Sequence, residues 1–330
     1  MDKKTIITMK EHLEFLDSLH VNLTQGGMLA VNFILAFVMF GVALGIKVRT
    51  FKSVFKKPTS VIIGLLAQWV ALPALTCLLA IVLNPIITPM IAIGMILVAS
   101  CPGGNMSNFL SAHSKGNIEL SVSMTAVTTL FASIITPLNF WFWGSHYLRF
   151  AEIKRNIPEL DIPFGDMLSQ IILILGFPII LGLIVSHYFP NFAKKLVKPT
   201  SVLSIVLFVA MVAVSLSQVL SSFEQRWEVY AAILVCLLVV VIHNALALST
   251  GYYGAKLARV PVRDRRSLTI ETGIQNSGLG LALLLNLAIF PPEQWKENGG
   301  MIIVTALWGI WHIISGLTIS TIFRRSPLKE

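Results

Sequence analysis

From Pro58 to Ala112 the chain runs for 55 residues without an Asp, Glu, Lys or Arg. A soluble element needs charge on its outer face, and a helix of about 20 apolar residues already crosses a ~30 Å hydrocarbon layer. The stretch is therefore two membrane crossings, dividing at Asn84-Pro85. Further charge-poor segments follow the same rule: Met28–Ile46, Leu120–Phe142, Met167–His187, Ser201–Leu220, Val229–Ala255, Ser267–Phe290 and Met301–Phe323. The expectation is an all-α polytopic membrane protein with about nine transmembrane helices. Charged residues make up only 12% of the chain, against about 25% in soluble domains. The alternation of a membrane β-barrel is absent. The net charge of +9 is confined to short clusters between apolar runs, which argues against nucleic-acid binding. Cys77, Cys101 and Cys236 all lie inside apolar runs, so neither a disulfide framework nor a zinc site is indicated.

Basic residues orient the spans. Seventeen of the 25 Lys and Arg fall in one set of alternate loops, from Lys47 to Lys57, at Lys115, at Lys194, Lys195 and Lys198, from Lys256 to Arg266, and in the C-terminal tail. The other set holds 25 − 17 = 8, together with 12 of the 16 acids. The positive-inside rule places the first set in the cytoplasm. The N-terminus is then expected outside and the C-terminus inside, at the cell (inner or plasma) membrane. Residues 1–26 precede the spans as a polar segment. In it Ile6, Met9, Leu13 and Leu16, widened by Phe15 and Leu19, read as an amphipathic helix on the outer membrane surface, with a frayed tail as the alternative. The 149–166 loop separates four spans from five and reads as the hinge between halves.

Two segments break the rules for lipid-buried helices. Ser100-Cys-Pro-Gly-Gly-Asn-Met-Ser-Asn108 places a proline and two glycines inside a span, followed by Asn105, Ser107 and Asn108. Glu271-Thr-Gly-Ile-Gln-Asn-Ser-Gly-Leu-Gly280 contains the only acid at mid-span depth. An unpaired carboxylate there costs at least ~2.5 kcal/mol on the insertion scale. Ser107 and Ser277 are 170 residues apart, one in each half of the chain, and the two segments enter from opposite sides. Opposite entry with similar chemistry predicts an inverted repeat whose two discontinuous helices cross near the midplane, the arrangement of secondary transporters. Unwound carbonyls and a carboxylate suit a hard cation, and exposed half-helix N-termini suit an anion. Gln68 reads equally as a cation ligand or an interhelical hydrogen bond. Ser121 and Thr125 share one helix face. Asn32, Gln218, His243 and Asn244 read as ordinary interhelical polar contacts. No metalloprotease motif, phosphate loop or catalytic carboxylate pair occurs, so no enzyme is expected.

Cys101–Asn108 and Glu271–Leu279, with Lys115-Gly116-Asn117 and Leu120-Ser121 between them, resemble the bile acid–sodium symporter family, in a bacterial-type version, from about Val31 to Gly316. The resemblance implies two inverted five-helix repeats, of which this chain is expected to lack the first helix. It also implies a panel domain (27–57 and 164–226) beside a core domain (58–163 and 227–323) holding breaks near 100–108 and 271–280. Residues 324–330 form a cytoplasmic tail. Two coupled sodium ions are implied, with no other cofactor. The first ion would use Ser107, Asn108, Ser121, Thr125 and Glu271. The second would use Gln68 and Glu271 with Thr272, Ile274 and Gln275, the middle two through backbone carbonyls. The substrate region would border Asn105, Met106, Asn276, Ser277 and His312. Bacterial relatives often carry Thr-Ala where this chain has Asn105-Met106, and Asn in place of Ile313, which leaves ligand identity open.

These readings converge on sodium-driven symport of an organic anion by alternating access. A bile acid, a steroid or sulfonate conjugate, or a small carboxylate such as pantoate fits. A sodium-dependent ligand-binding sensor of the same fold without net transport is the alternative. Partners are the anion, sodium and the lipid bilayer, with a monomer and a homodimer both open.

Overall fold

A computed structural model describes residues 3–18, 25–46, 58–104, 106–155, 162, 164–221, 227–286, 289–290, 295 and 297–328. Among them the regular structure is helical: α1 (Lys3–Asp17), α2 (Gln25–Leu44), α3 (Pro58–Leu83), α4 (Pro89–Ser100), α5 (Met106–His113), α6 (Ile118–Leu130), α7 (Ala132–Arg155), α8 (Phe164–Ile171 continuing through Phe177–Tyr188), α9 (Pro190–Ser221), α10 (Trp227–Leu257), α11 (Val262–Gly273), α12 (Ser277–Leu284) and α13 (Gly299–Arg325). Exposed Ile62, Leu66 and Val70 recur at helical spacing along α3, the stripe a lipid-facing helix presents. The molecule is a multi-pass membrane protein.

Helix α2 packs against α8 and α9, whereas α4 packs against α7 and α13, and α10 against α11 and α13. Small residues make the closest approaches. A Cβ on Gly251 of α10 would come within 2.5 Å of the Leu268 carbonyl oxygen and 2.9 Å of Thr269 Cα, so only glycine lets α10 lie directly on α11. Single π-helical turns interrupt α3 at Ala67–Ala71 and α8 at Ile172–Gly176. Such turns are frequent at functional sites, and the first carries Gln68.

Several expectations change. The span expected over Leu120–Phe142 is bent by 73° between α6 and α7. Upstream, the hydroxyls of Ser123, Thr125 and Thr128 bond back to the carbonyls of Glu119, Ser121 and Thr125, a habit that bends helices. Helix α7 then runs on to Arg155, so residues 149–155 of the expected 149–166 loop are helical. Lys194, Lys195 and Lys198 lie within α9 rather than in a loop. Leu13 and Leu16 of α1 enter the main hydrophobic cluster, with α1 packed on α10 and α13. Two large apolar side chains of α1 thus find protein partners. Phe15 is exposed. The side chains of Ile6 and Met9, and Leu19 altogether, lie outside the described residues.

Replacing Gly251 by valine is expected to destabilise the protein by roughly 1–3 kcal/mol, because the obstructing atoms are backbone. Thermal melting of purified protein in detergent checks this, with Gly254→Val as control, where a Cβ meets nothing within 4 Å.

Candidate functional site

The two breaks pair with each other. Helix α4 ends at Ser100 and α5 resumes at Met106, while α11 ends at Gly273 and α12 starts at Ser277. The second break is thus narrower than the 271–280 region expected, and Glu271 stays helical. Between the ends, Gly103 and Gln275 form an antiparallel bridge. The Gly104 amide donates to the Ile274 carbonyl and the Asn276 amide to the Pro102 carbonyl, both at 2.8 Å. Each break thus satisfies one amide and one carbonyl of the other, as hydrocarbon requires. Glycine is needed here because a Cβ on Gly103 would sit 2.9 Å from Glu271 Oε2, and one on Gly104 would sit 3.2 Å from the Gln275 carbonyl oxygen.

Glu271 is fully buried beside this bridge. Its Oε1 accepts from Ser107 Oγ at 2.6 Å, from Ser121 Oγ, and from Thr125 Oγ1 at 3.3 Å. Thr125 Oγ1 is also 3.2 Å from Oε2. Asn108 Oδ1 lies 2.9 Å from Ser121 Oγ and 3.3 Å from Thr125 Oγ1. All five residues expected at the first ion site therefore converge. Each hydroxyl carries one proton. Three protons are shared among Asn108 Oδ1, both carboxylate oxygens and the Ser121 carbonyl, so lone pairs outnumber protons. A cluster with that imbalance and one formal negative charge fits a small monovalent cation.

The second expected set also gathers. The π-turn brings Gln68 Nε2 to 3.3 Å from the Glu271 carbonyl oxygen and 3.4 Å from Gln275 Oε1. Gln275 Nε2 donates to the Thr272 carbonyl at 2.9 Å. Gln68 Oε1 and Thr272 Oγ1 are buried without a hydrogen-bond partner. The Ile274 carbonyl is engaged by the crossover.

The expected substrate residues are less uniform. Asn276 Oδ1 caps α12 by accepting from the Leu279 amide at 3.0 Å. Ser277 Oγ and His312 Nδ1 are buried and unpartnered. His312 lies one turn before Gly316, which packs on Ile274 and Leu110. Met106 joins a small apolar cluster with Leu110, Ile270 and Ile274. Asn105 lies outside the described residues, as does the side chain of Gln218.

Some polar residues do more than their sequence context suggested. Thr76 Oγ1 is 2.8 Å from His243 Nε2, and that ring packs on Trp308 with centroids 4.5 Å apart. Asn286 Nδ2 donates to Asn32 Oδ1 at 2.8 Å. At the other end of α11, Asp264 accepts from Ser60 Oγ at 2.8 Å and Asn117 Nδ2 at 2.7 Å. Arg266 donates to the carbonyls of Ser114 and Ser326. These pairings join residues more than 55 positions apart, and no spacing rule announces them.

Residues 32–226 match the sequence profile of the Sodium Bile acid symporter family. The chain belongs to that family. Its members are transporters rather than enzymes. An uncharacterized sodium-dependent transporter of Bacillus subtilis, YocS, is 32% identical over 300 residues, covering 91% of this chain and 84% of that protein. The human ileal sodium/bile acid cotransporter is 27% identical over 263 residues, covering 80% and 70%. A probable sodium/metabolite cotransporter of rice chloroplasts, BASS2, is 29% identical over 249 residues, covering 76% of this chain and 55% of that protein.

Gly103→Ala is expected to destabilise the crossover by roughly 1–3 kcal/mol, since its new methyl meets the carboxylate. Ser100→Ala, which removes only a hydroxyl bonded to the Ile96 carbonyl, is expected to shift the melting temperature much less. Equal shifts would contradict the reading of Gly103.

Proposed function

We propose that the chain is a sodium-coupled symporter of an organic anion working by alternating access. The observation that carries this is the excess of lone pairs around Glu271, directly beside the crossover. One sodium ion is taken by Ser107, Asn108, Ser121, Thr125 and Glu271, and a second by Gln68, Glu271, Thr272, Ile274 and Gln275. In the ion-free protein the hydroxyl protons point at the carboxylate. A cation turns those protons outward and presents oxygen lone pairs instead. With the cations in place, the carboxylate no longer repels an anion at the start of α12.

The anion site comprises Asn105, Met106, Asn276, Ser277 and His312. The unpartnered hydroxyl of Ser277 supports it, as does the position of Ser277 at a helix N-terminus, where an anion is favoured. The core domain carries the crossover, and the panel domain of α2, α8 and α9 is the surface it moves against. The substrate class runs from bile acids and steroid or sulfonate conjugates to small carboxylates such as pantoate. Two sodium ions with a monovalent anion move one net positive charge inward, worth about 2.3 kcal/mol per 100 mV. The N-terminus is outside and the C-terminus cytoplasmic.

Uptake of labelled taurocholate and pantoate into proteoliposomes tests this, under an inward sodium gradient and again under an inward potassium gradient. At least one anion is expected to enter with sodium only, faster when the lumen is electrically negative. Glu271→Gln is expected to reduce that uptake to background. Uptake that ignores sodium, or that survives the substitution unchanged, would refute the coupling.

A further inference from the structure

Four successive carbonyls run through the end of α11 and the break, and each has its own partner. The Glu271 carbonyl faces Gln68 Nε2 at 3.3 Å, that of Thr272 faces Gln275 Nε2 at 2.9 Å, and that of Ile274 accepts from the Gly104 amide at 2.8 Å. The Gly273 carbonyl accepts from Asn244 Nδ2, on α10, at 2.8 Å. Three of these partners belong to the crossover or to the two glutamines beside it. Asn244 comes from outside that cluster.

Asn244 is fully buried, and its other amide atom is also engaged. Ser315 Oγ of α13 donates to Asn244 Oδ1 at 2.5 Å and lies 3.2 Å from the His312 carbonyl oxygen. The order of contacts is thus Gly273 carbonyl, Asn244 amide, Ser315 hydroxyl, and the turn of α13 that bears His312. A carboxamide suits this place because it donates on one side and accepts on the other. Aspartate would set an oxygen against the Gly273 carbonyl, and a hydrophobic residue would leave that carbonyl unpaired at the end of a buried helix. Gly273 itself has no room for a side chain, since an added Cβ would run into Leu248 of α10. That close packing brings α10 and its Asn244 against the break.

We infer that Asn244, locked by Ser315, is a positioning residue for the second cation site. It holds the Gly273 carbonyl toward α10, and so fixes the peptide plane that sets where the flanking Thr272 and Ile274 carbonyls point. It touches neither the cation nor the anion. The same pair also joins the backbone of that site to the turn carrying His312. This inference rests on the sodium-symport reading above.

The test is a sodium titration of full-length protein, followed by thermal stabilisation in detergent and by initial uptake in proteoliposomes. It uses the wild type, Asn244→Ala, Ser315→Ala and Ser315→Thr. Partners lying behind metal ligands typically change affinity by 10–100-fold when removed. Asn244→Ala is accordingly expected to raise the half-saturating sodium concentration about tenfold or more and to reduce the steepness of its sodium dependence. Anion KM at saturating sodium should stay close to wild type. Ser315→Ala should move sodium in the same direction by less, and Ser315→Thr, which keeps the hydroxyl, should restore the wild-type curve. A general loss of packing would lower melting temperature without shifting the sodium midpoint.

A sodium-responsive wild type with unshifted midpoints in Asn244→Ala and Ser315→Ala overturns the inference and leaves the symport reading intact. If Asn244→Ala does not fold, the Ser315 pair decides: equal midpoints in Ser315→Ala and Ser315→Thr overturn the inference. A wild type that sodium neither stabilises nor drives overturns the symport reading, and this inference with it.

Discussion

The pairing of two broken helices with each other is the constraint on which the rest of the structure depends. A helix interrupted in hydrocarbon exposes amides and carbonyls that water cannot reach. Here the Gly104 and Asn276 amides find the carbonyls of Ile274 and Pro102 on the opposite break, so neither interruption is tenable without the other. The glycines of the first break follow from that demand. So does the position of Glu271, which reaches the bridge from within the last turn of α11 and finds its hydroxyl partners on α5 and α6.

The crossover is geometrically two-fold and chemically one-sided. The bridge relates Gly103 to Gln275, so counting outward matches Ser107 and Asn108 with Leu279 and Gly280, and Glu271 with Ala99. One side of the bridge is therefore an acidic, hydroxyl-rich cluster. On the other side, a Cβ at Gly280 would meet the methyl of Thr305 and the sulfur of Cys101. An inverted repeat supplies two equivalent places for a site, and this sequence spends its polar residues on one. That asymmetry leaves an oxygen-lined cluster on one face of the crossover and close packing on the other.

Much of this was legible in the sequence, for identifiable reasons. Polar and helix-breaking residues in a bilayer carry a high cost, so Pro102, Gly103, Gly104 and Glu271 stood out against their apolar surroundings. The topology gave their opposite entry, and the resemblance gave Ser107, Asn108, Ser121 and Thr125 as one set and Gln68 and Gln275 as members of a second. The bend between α6 and α7 was hidden because Ser and Thr back-bonding is apolar to a hydropathy reading. The π-turn that aims Gln68 was hidden because no residue type encodes it. The docking of α1 depended on partners that periodicity alone cannot supply: Leu13 and Leu16 show an apolar stripe, not what covers it. Asn244 and Ser315 looked like ordinary span residues because their meaning lies in contacts made 29 and 71 positions away along the chain.

The central claim is that the oxygens around Glu271 form a cation site. Crystals grown with thallium(I) in place of sodium test it most directly through the anomalous signal of the heavier ion. The account predicts a peak enclosed by Ser107, Asn108, Ser121, Thr125 and Glu271, abolished by sodium competition and absent in Glu271→Gln. Thallium bound elsewhere, with that cluster empty and its hydroxyls still bonded to the carboxylate at saturating ion, would contradict it.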